Sequence, residues 1–151
     1  MEIERKFLVK ALPELTNARC DKIKQGYFSI VPEKRVRQKR EKYILTEKGE
    51  GDMVREEAEW EIDKDTAEKL FAQSKTYIIE KTRYYLPYEK YTVELDVYEG
   101  HHKGLIVAEV EFESEDEALA FEPPIWFGED ITCDKSYKNM VLATKKVDKG
   151  Q

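Results

Sequence analysis

Charged side chains recur at alternate positions along this chain, a spacing that can build a binding surface. Residues 2–6 read EIERK, which places Glu2, Glu4 and Lys6 on one face of a strand. Side chains two apart on a strand lie about 6.6 Å from each other, so these three form a row roughly 13 Å long. Such a row is either bathed by solvent or holds a charged ligand.

The same alternation pairs like charges in most later segments, and the two signs are segregated. Basic doublets are formed by Arg35 with Arg37 and by Lys81 with Arg83; acidic doublets are formed by Glu57 with Glu59, Glu94 with Asp96, and Glu109 with Glu111. For any single strand, the simpler interpretation is an apolar interior with the charges facing water. Segregation across all strands instead indicates a binding site, because a surface that only confers solubility would intermix the signs.

Several acidic doublets on one wall need a cation between them. Two carboxylates about 5 Å apart repel by roughly 3 kcal/mol at an effective dielectric constant of 20. Because the candidate ligands are oxygen atoms, with no histidine or cysteine among them, we expect Mg²⁺ or Mn²⁺. The arginine and lysine doublets would bind a polyanion, and the combination suits phosphoryl transfer. The pattern therefore predicts a site for a metal-bound polyphosphate.

The elements that must position these charges are mostly strands. Period-2 alternation predicts eight of them, over residues 2–9, 22–30, 33–40, 42–48, 54–62, 76–86, 91–100 and 105–114. Helical periodicity predicts helices over residues 64–73, 115–121 and 135–144. The apolar stripes of these helices need a sheet to cover, which places the helices outside and the charges inside. We therefore predict a mainly β fold with accessory α, an eight-stranded closed antiparallel β-barrel, since closure removes both exposed edges.

Some side chains outside this charged pattern are predicted to be structural. Trp60 and Phe112 fall on the outward parity that the helices cover, and Tyr137 is expected to be a packing anchor. His101 and His102 lie in a turn, where we expect solvated imidazoles without a catalytic role.

Length, charge and cysteine content narrow the class of protein. The 151 residues predict one domain, over residues 1–144, followed by a flexible tail over 145–151. The net charge of −6 argues against general binding to nucleic acid or a membrane surface, so neither is expected as a partner. The two cysteines match no metal-ligand or redox spacing, and the charged start is unlike a signal peptide. We expect a cytoplasmic protein.

The order of the charged motifs resembles that of the CYTH family, also called triphosphate tunnel metalloenzymes, and in particular bacterial inorganic triphosphatases. The EIERK stretch matches the family's ExExK signature, and the later matches are RVRQ at 35–38, LTEK at 45–48, REEAEWEI at 55–62, EKTRY at 80–84, VELDVYEG at 93–100, VAEVEFES at 107–114 and DKSYKN at 134–139. The resemblance covers about residues 1 to 143. It implies a β-tunnel whose inner wall binds a triphosphate with a divalent metal, and a carboxy-terminal helix that plugs one end.

The resemblance also implies roles for individual residues. The principal metal ligands would be Glu2, Glu4 and Glu111, with Glu57, Glu59 and Glu109 serving a second metal or its water shell. The phosphate ligands would be Lys6, Arg35, Arg37, Lys48, Arg55, Lys81 and Arg83. Tyr27 is expected to hydrogen-bond Lys81, and the pair resembles the arrangement that positions or activates the attacking water. Ser136 stands where a basic residue of the plug helix is expected.

The sequence favours an all-phosphate substrate. A base or thiamine ring would need a recognition pocket beyond the tunnel, and this compact chain has only short loops to build one. We therefore expect hydrolysis of tripolyphosphate to pyrophosphate and phosphate by a monomer or homodimer. Two alternatives stay open: a nucleotide-using member, either a class IV adenylyl cyclase or a nucleoside or thiamine triphosphatase, and a non-catalytic polyphosphate-binding module.

Overall fold

The computed structural model describes residues 2–29, 32–49, 54–74 and 76–144. The predicted tail over 145–151 lies outside these residues, as do the side chains of Val54, Arg55, Met140 and Thr144. The strands are β1 (Glu2–Val9), β2 (Arg19–Ser29), β3 (Glu33–Lys39), β4 (Lys42–Lys48), β5 (Val54–Arg55), β6 (Glu57–Ile62), β7 (Ile79–Tyr88), β8 (Tyr91–Glu99), β9 (Ile106–Glu111) and β10 (Phe127–Asp130). The helices are α1 (Lys64–Gln73), α2 (Glu115–Ala120) and α3 (Asn139–Thr144).

The strands form one antiparallel sheet in the order β10-β1-β9-β8-β7-β2-β3-β4-β6, and β5 pairs with β1 off this path. The mainly β architecture with accessory helices is thus confirmed. The strand pairing of the described residues leaves β10 and β6 at the two ends of the order, so hydrogen bonds along it do not establish the predicted closed barrel. Within the described part of the chain, no helix has the length and apolar character needed to cross a membrane.

The apolar faces of β1, β8 and β9 point outward and pack under α2, as predicted from the need of the helices for an apolar surface to cover. This outer core contains Phe7, Val93, Leu95, Ala108, Val110, Phe112, Ala118, Phe121 and Phe127. Burial of each large apolar side chain stabilises the fold by about 1.5–3 kcal/mol. The opposite face of the same strands, which carries the charges, is therefore turned to the interior of the curved sheet.

Two helices begin with a side chain that caps the first turn. Asp63 accepts a hydrogen bond from the backbone N–H of Thr66 at 2.7 Å, and Ser114 accepts one from Glu117 at 3.1 Å. Where α1 ends, it crosses β2 at Gly26. A Cβ there would lie 3.0 Å from Ile78 Cδ1 and 3.1 Å from Ser74 Oγ, so glycine permits this close approach.

A second apolar cluster closes the end of the sheet next to α3, and we call it the plug cluster. It contains Tyr27, Ile79, Tyr98, Val107, Ile131, Leu142 and Ala143, with Leu8, Leu105 and Tyr137 packed against it. The packing role predicted for Tyr137 is confirmed. The C-terminal helix is shorter than predicted, because a 3-10 turn over Lys135–Tyr137 precedes α3.

Two other predictions are wrong, and the predicted strands omit one. Trp60 is 50% exposed, because α1 packs on β2, β3 and β4 and does not cover this part of β6. His102 is only 2% exposed, because its Nε2 bonds the backbone carbonyl of Leu142 at 2.6 Å and ties the turn to α3. The strand β10 was not predicted, since four residues after two prolines carry too little alternation to signal a strand.

Candidate active site

A charged cavity of about 180 Å³ lies on the interior face of the sheet. Its acidic lining residues are Glu2, Glu4, Glu33, Glu57, Glu59, Glu94, Glu109 and Glu111. Its basic lining residues are Lys6, Arg35, Arg37, Lys48, Arg83 and Lys138, and Tyr27 and Asn139 complete the wall. The cavity therefore joins all six predicted metal ligands, Tyr27 and five of the seven predicted phosphate ligands. Of the other two, Lys81 does not line it, and the side chain of Arg55 lies outside the described residues.

Strand register brings these residues together from distant parts of the sequence. Glu4 of β1 lies opposite Glu111 of β9, and Lys6 lies opposite Glu109. On the next pair of strands, Glu109 faces Glu94 of β8. Because side chains alternate across a strand, a one-residue slip in any of these pairs would turn a whole row of charges out of the cavity.

The acidic side of the cavity is crowded. Burial, reinforced by the charges of Glu109 and Glu2, raises the pKa of Glu4 to about 8. Lys48 offsets part of this repulsion, since its Nζ lies 3.7 Å from Glu2 and 3.6 Å from Glu57. Burial alone would raise the pKa of Glu57, but hydrogen bonds from Glu59 and Glu2 and the charge of Lys48 lower it to about 2. The negative charge of these carboxyls is thus offset by bound protons or by a lysine ammonium group, at positions where a metal cation could bind.

The basic side is anchored by a buried carboxylate. Asp96 accepts hydrogen bonds from Arg83 Nε at 2.7 Å and from Nη2 at 2.9 Å, and it is 4% exposed. Arg83 also lies 3.2 Å from Glu94 and 3.7 Å from Glu109. These two hydrogen bonds fix the plane of the Arg83 guanidinium group at the cavity wall.

Lys81 lies behind this wall. Its side chain is fully buried, and its Nζ is 2.7 Å from the same Asp96. Burial lowers the pKa of Lys81 to about 7; Arg83 and Arg37 add to the effect, whereas Asp96 opposes it. Desolvation is therefore the main cause of the depressed pKa of Lys81.

Tyr27 is bonded differently from the prediction. Its hydroxyl accepts a hydrogen bond from Gln25 Nε2 at 3.1 Å, whereas Lys81 pairs with Asp96. Gln25 is fully buried, and its Oε1 accepts from Arg37 Nε at 3.2 Å, so this one amide joins two cavity residues. Sequence reasoning missed Gln25 because the search followed charges, although its parity with Tyr27 on β2 was a usable signal.

Arg35 and Arg37 are the two arginines of β3 that line the cavity. Arg35 is 4% exposed, and its Nε finds no hydrogen-bond partner among the described residues. Burial, with the charges of Arg35 and Arg83, lowers the pKa of Arg37 to about 10. Desolvated guanidinium groups crowded in this way are suited to receive an anion.

The C-terminal segment contributes two lining residues that were not assigned a role from the sequence, Lys138 and Asn139. Tyr98, from β8, donates a hydrogen bond from its hydroxyl to Asn139 Oδ1. Farther along α3, the N–H of Tyr77 donates to the carbonyl of Ala143 at 2.7 Å. The basic group at this end is thus Lys138, two residues beyond Ser136. Glu33 and Glu94 were likewise unassigned, although Glu94 shares its parity with Asp96.

The candidate active site is thus an interior cavity of a curved antiparallel sheet, lined by carboxylates and by guanidinium and ammonium groups. The chain matches the family model described as CYTH domain over residues 1–135. This protein therefore belongs to the CYTH domain family.

The relatives found include proteins named inorganic triphosphatase. One from Nitrosomonas europaea is 45% identical over 147 residues, covering 94% of this chain and 96% of that protein. Another, from Acetivibrio thermocellus, is 35% identical over 145 residues, covering 93% and 92% respectively. A crystal structure of an inorganic triphosphatase superposes with a TM-score of 0.75 at 40% identity, covering 96% of this chain and 95% of that one.

Proposed function

We propose that this protein hydrolyses inorganic triphosphate to pyrophosphate and phosphate with the help of Mg²⁺ or Mn²⁺. The observation that carries the proposal is the single cavity in which six glutamates predicted to bind metal face arginines and lysines predicted to bind phosphate. An anion receptor alone would gain nothing from the glutamates, because they repel its ligand. The names of the two relatives at 45% and 35% identity support this substrate.

We further propose that the sheet closes into a tunnel at residues 54–62, so that the domain over residues 1–144 is one barrel. The support is the pairing on either side of Glu56. Glu2 and Ile3 of β1 pair with Arg55 and Val54 of β5. On the other side, β6 pairs with β4 from Glu57 to Ile62. One continuous segment thus contacts both β1 and β4, which closure requires.

The donor set of the cavity fits a hard divalent cation. The acidic lining residues offer carboxylate oxygens without histidine or cysteine, the ligand type that Mg²⁺ and Mn²⁺ prefer. Among the described residues, no three such side chains are already gathered around one point, so the glutamates would have to converge on the ion. We assign Glu2, Glu4 and Glu111 as principal ligands, with Glu57, Glu59 and Glu109 as further ones. When bound, the metal would neutralise phosphate charge and polarise the phosphoryl group.

The basic side would bind and orient the triphosphate. Arg35, Arg37 and Arg83 present guanidinium groups at the cavity wall, and forked hydrogen bonds to phosphate oxygens suit this geometry. Lys6 and Lys48 stand between the acidic and basic walls, since each pairs with a cavity glutamate at 3.5–3.7 Å. The side chain of Arg55 is proposed as a further phosphate ligand on the resemblance alone.

Lys81 and Tyr27 are proposed to serve the attacking water. A pKa of about 7 leaves half of the Lys81 amines neutral at neutral pH, which suits a general base. To accept a proton, Lys81 would have to release Asp96, and Arg83 would continue to satisfy that carboxylate through two hydrogen bonds. Tyr27, held by Gln25, presents its hydroxyl at the cavity and would orient the water.

Initial rates of phosphate release test this function. Tripolyphosphate, ATP and thiamine triphosphate are compared with Mg²⁺ and with Mn²⁺. We expect the highest kcat/KM with tripolyphosphate, since the cavity volume of about 180 Å³ suits a small all-phosphate chain. Glu111→Gln should abolish most activity, whereas Glu129→Gln, which removes an exposed carboxylate from β10, should not. A higher kcat/KM for ATP or thiamine triphosphate would contradict the substrate, and binding without turnover would favour the polyphosphate-binding alternative.

A further inference from the structure

The cationic row of the candidate active site continues beyond the cavity. Arg35 and Arg37 line the cavity, and Lys39 is the next residue on this face of β3, about 6.6 Å farther along. Lys39 lines a neighbouring cavity of about 740 Å³ instead, together with Asp21, Arg40 and Tyr85. We call this space the outer cavity. A phosphate chain longer than the substrate that extends along the cationic row of β3, away from the plug cluster, would enter it.

One buried carboxylate pairs with two of the four cationic residues that line the outer cavity, Lys39 and Arg40. Asp21 is 6% exposed, and Arg40 donates to both of its oxygens, from Nε and from Nη2. The Nζ of Lys39 lies 3.8 Å from the same carboxylate, and the Tyr85 hydroxyl donates to it at 2.9 Å. Asp21 is thus a carboxylate beside the row of basic side chains on β3, at the point where this row passes from the active-site cavity to the outer cavity.

The turn after β3 brings the Arg40 side chain to Asp21. Arg40 has a φ of 59°, in the left-handed region that residues other than glycine rarely adopt. Its side chain is 62% exposed, and yet its guanidinium group is directed back onto Asp21 and not into solvent. Because Lys39 pairs with Lys42, Arg40 and Glu41 form a two-residue hairpin turn, which favours a positive φ at its first residue.

We propose that Asp21 is a specificity-determining residue that limits the bound substrate to a chain of three phosphates. The proposal rests on the proposed function. A fourth phosphate extending outward past Arg37 would reach Lys39 and Arg40, which already share Asp21 as an ion-pair partner, and would also approach the carboxylate itself. The attraction of these two cations is reduced and repulsion from the carboxylate is added, so longer chains are disfavoured without any loss of contacts to the first three phosphates.

The test compares Asp21→Asn with the parent on tripolyphosphate and tetrapolyphosphate. We expect the ratio of kcat/KM for tripolyphosphate to that for tetrapolyphosphate to fall by about tenfold, the size expected for one charge contact near the protein surface. Activity on tripolyphosphate should stay close to that of the parent. An unchanged ratio in a folded variant would overturn the proposal.

Matched controls separate specificity from a structural role. Asp130→Asn removes one carboxylate from another Asp–Arg pair, with Arg5 at 2.8 Å on the outer face, and should leave the ratio unchanged. Lys39→Met should cancel the gain in the Asp21→Asn background and have little effect on tetrapolyphosphate in the parent. If Asp21→Asn does not fold, Arg40→Gln provides the second variant. It leaves Asp21 less neutralised, so the ratio should rise, and an unchanged ratio would again contradict the proposal.

Failure of this proposal is distinguishable from failure of the proposed function. If the parent does not turn over tripolyphosphate, the proposed function fails. Chain-length preference can still be measured by calorimetric binding of the two polyphosphates in the presence of Mg²⁺. In that assay the Asp21→Asn variant should bind tetrapolyphosphate about tenfold more tightly than the parent does. Equal affinity of parent and variant would refute the role of Asp21.

Discussion

Replacement of Lys81 by methionine separates two roles that this residue could have. Methionine keeps most of the side-chain length but removes the amine. Asp96 then loses its contact of 2.7 Å with Lys81, although the two hydrogen bonds from Arg83 remain. The carboxylate is not left unpaired, so the loss of stability should be well below the roughly 3–5 kcal/mol that follows when a buried pair is broken outright.

The activity should change much more than the stability. If Lys81 accepts the proton of the water, its removal should lower kcat by roughly 10²- to 10⁴-fold with little change in KM. The pH dependence of kcat gives a second, independent test of the role of Lys81. For a base with a pKa of about 7, the neutral fraction rises with pH, and from pH 6 to pH 8 the kcat of the parent should increase about tenfold. The Lys81→Met variant should show no such rise.

The assay is phosphate release from tripolyphosphate at saturating Mg²⁺, with thermal melting to confirm folding. Lys81→Arg is the matched control, because arginine keeps the positive charge beside Asp96 but cannot act as a base at these pH values. It should be as slow as Lys81→Met. The reasoning is refuted if Lys81→Arg retains the kcat of the parent, or if Lys81→Met raises KM and leaves kcat intact, which would make Lys81 a phosphate ligand.

Three further predictions follow from the contacts in the cavity. Arg37→Met should raise the KM for tripolyphosphate by about 10- to 100-fold with a smaller effect on kcat, because a charged hydrogen-bond donor to phosphate is lost; steady-state kinetics measures both. Glu4→Gln should lower turnover by orders of magnitude yet melt no lower than the parent in chelator at neutral pH, since a pKa of about 8 keeps most of the Glu4 carboxyl protonated there and a neutral amide replaces a neutral group; a much lower melting temperature would make Glu4 a structural residue. Gln25→Leu should cost about 1–3 kcal/mol in urea unfolding and also lower activity, because the Tyr27 hydroxyl and Arg37 Nε lose their shared partner; an unchanged KM and kcat would show that Gln25 only fills space.

The inward direction of the charges could be predicted because it depends only on parity and on the need to cover apolar faces. Because Val93 and Leu95 must be buried under a helix, the alternating side chains of Glu94 and Asp96 must point to the opposite, interior face of the sheet. The register between strands determines the rest of the site, and parity does not predict it; the CYTH resemblance indicated only which residues share one site. Residues such as Glu4 and Glu111 are 107 positions apart, and nothing local in the sequence pairs them.

The contacts between side chains could not be predicted in the same way. Parity places Lys81 and Tyr27 on the inner face, but it does not say that Asp96 is the partner of Lys81 or that Gln25 is the partner of Tyr27. The burial of His102 depends on α3 returning to the turn after β8, a tertiary contact with no signal in the turn itself. Isolated polar residues were misjudged for the same reason, because their environment is set by elements distant in sequence.

The central claim is that the acidic and basic walls act together on one small substrate, and ³¹P NMR of a tripolyphosphate solution tests it most directly. With Mg²⁺ present, the spectrum should show tripolyphosphate replaced by pyrophosphate and phosphate in equal amounts. An excess of chelator should stop the reaction, because the glutamates repel phosphate when no cation lies between them. Persistent cleavage in chelator, or tripolyphosphate that stays intact with both Mg²⁺ and Mn²⁺, would contradict the account.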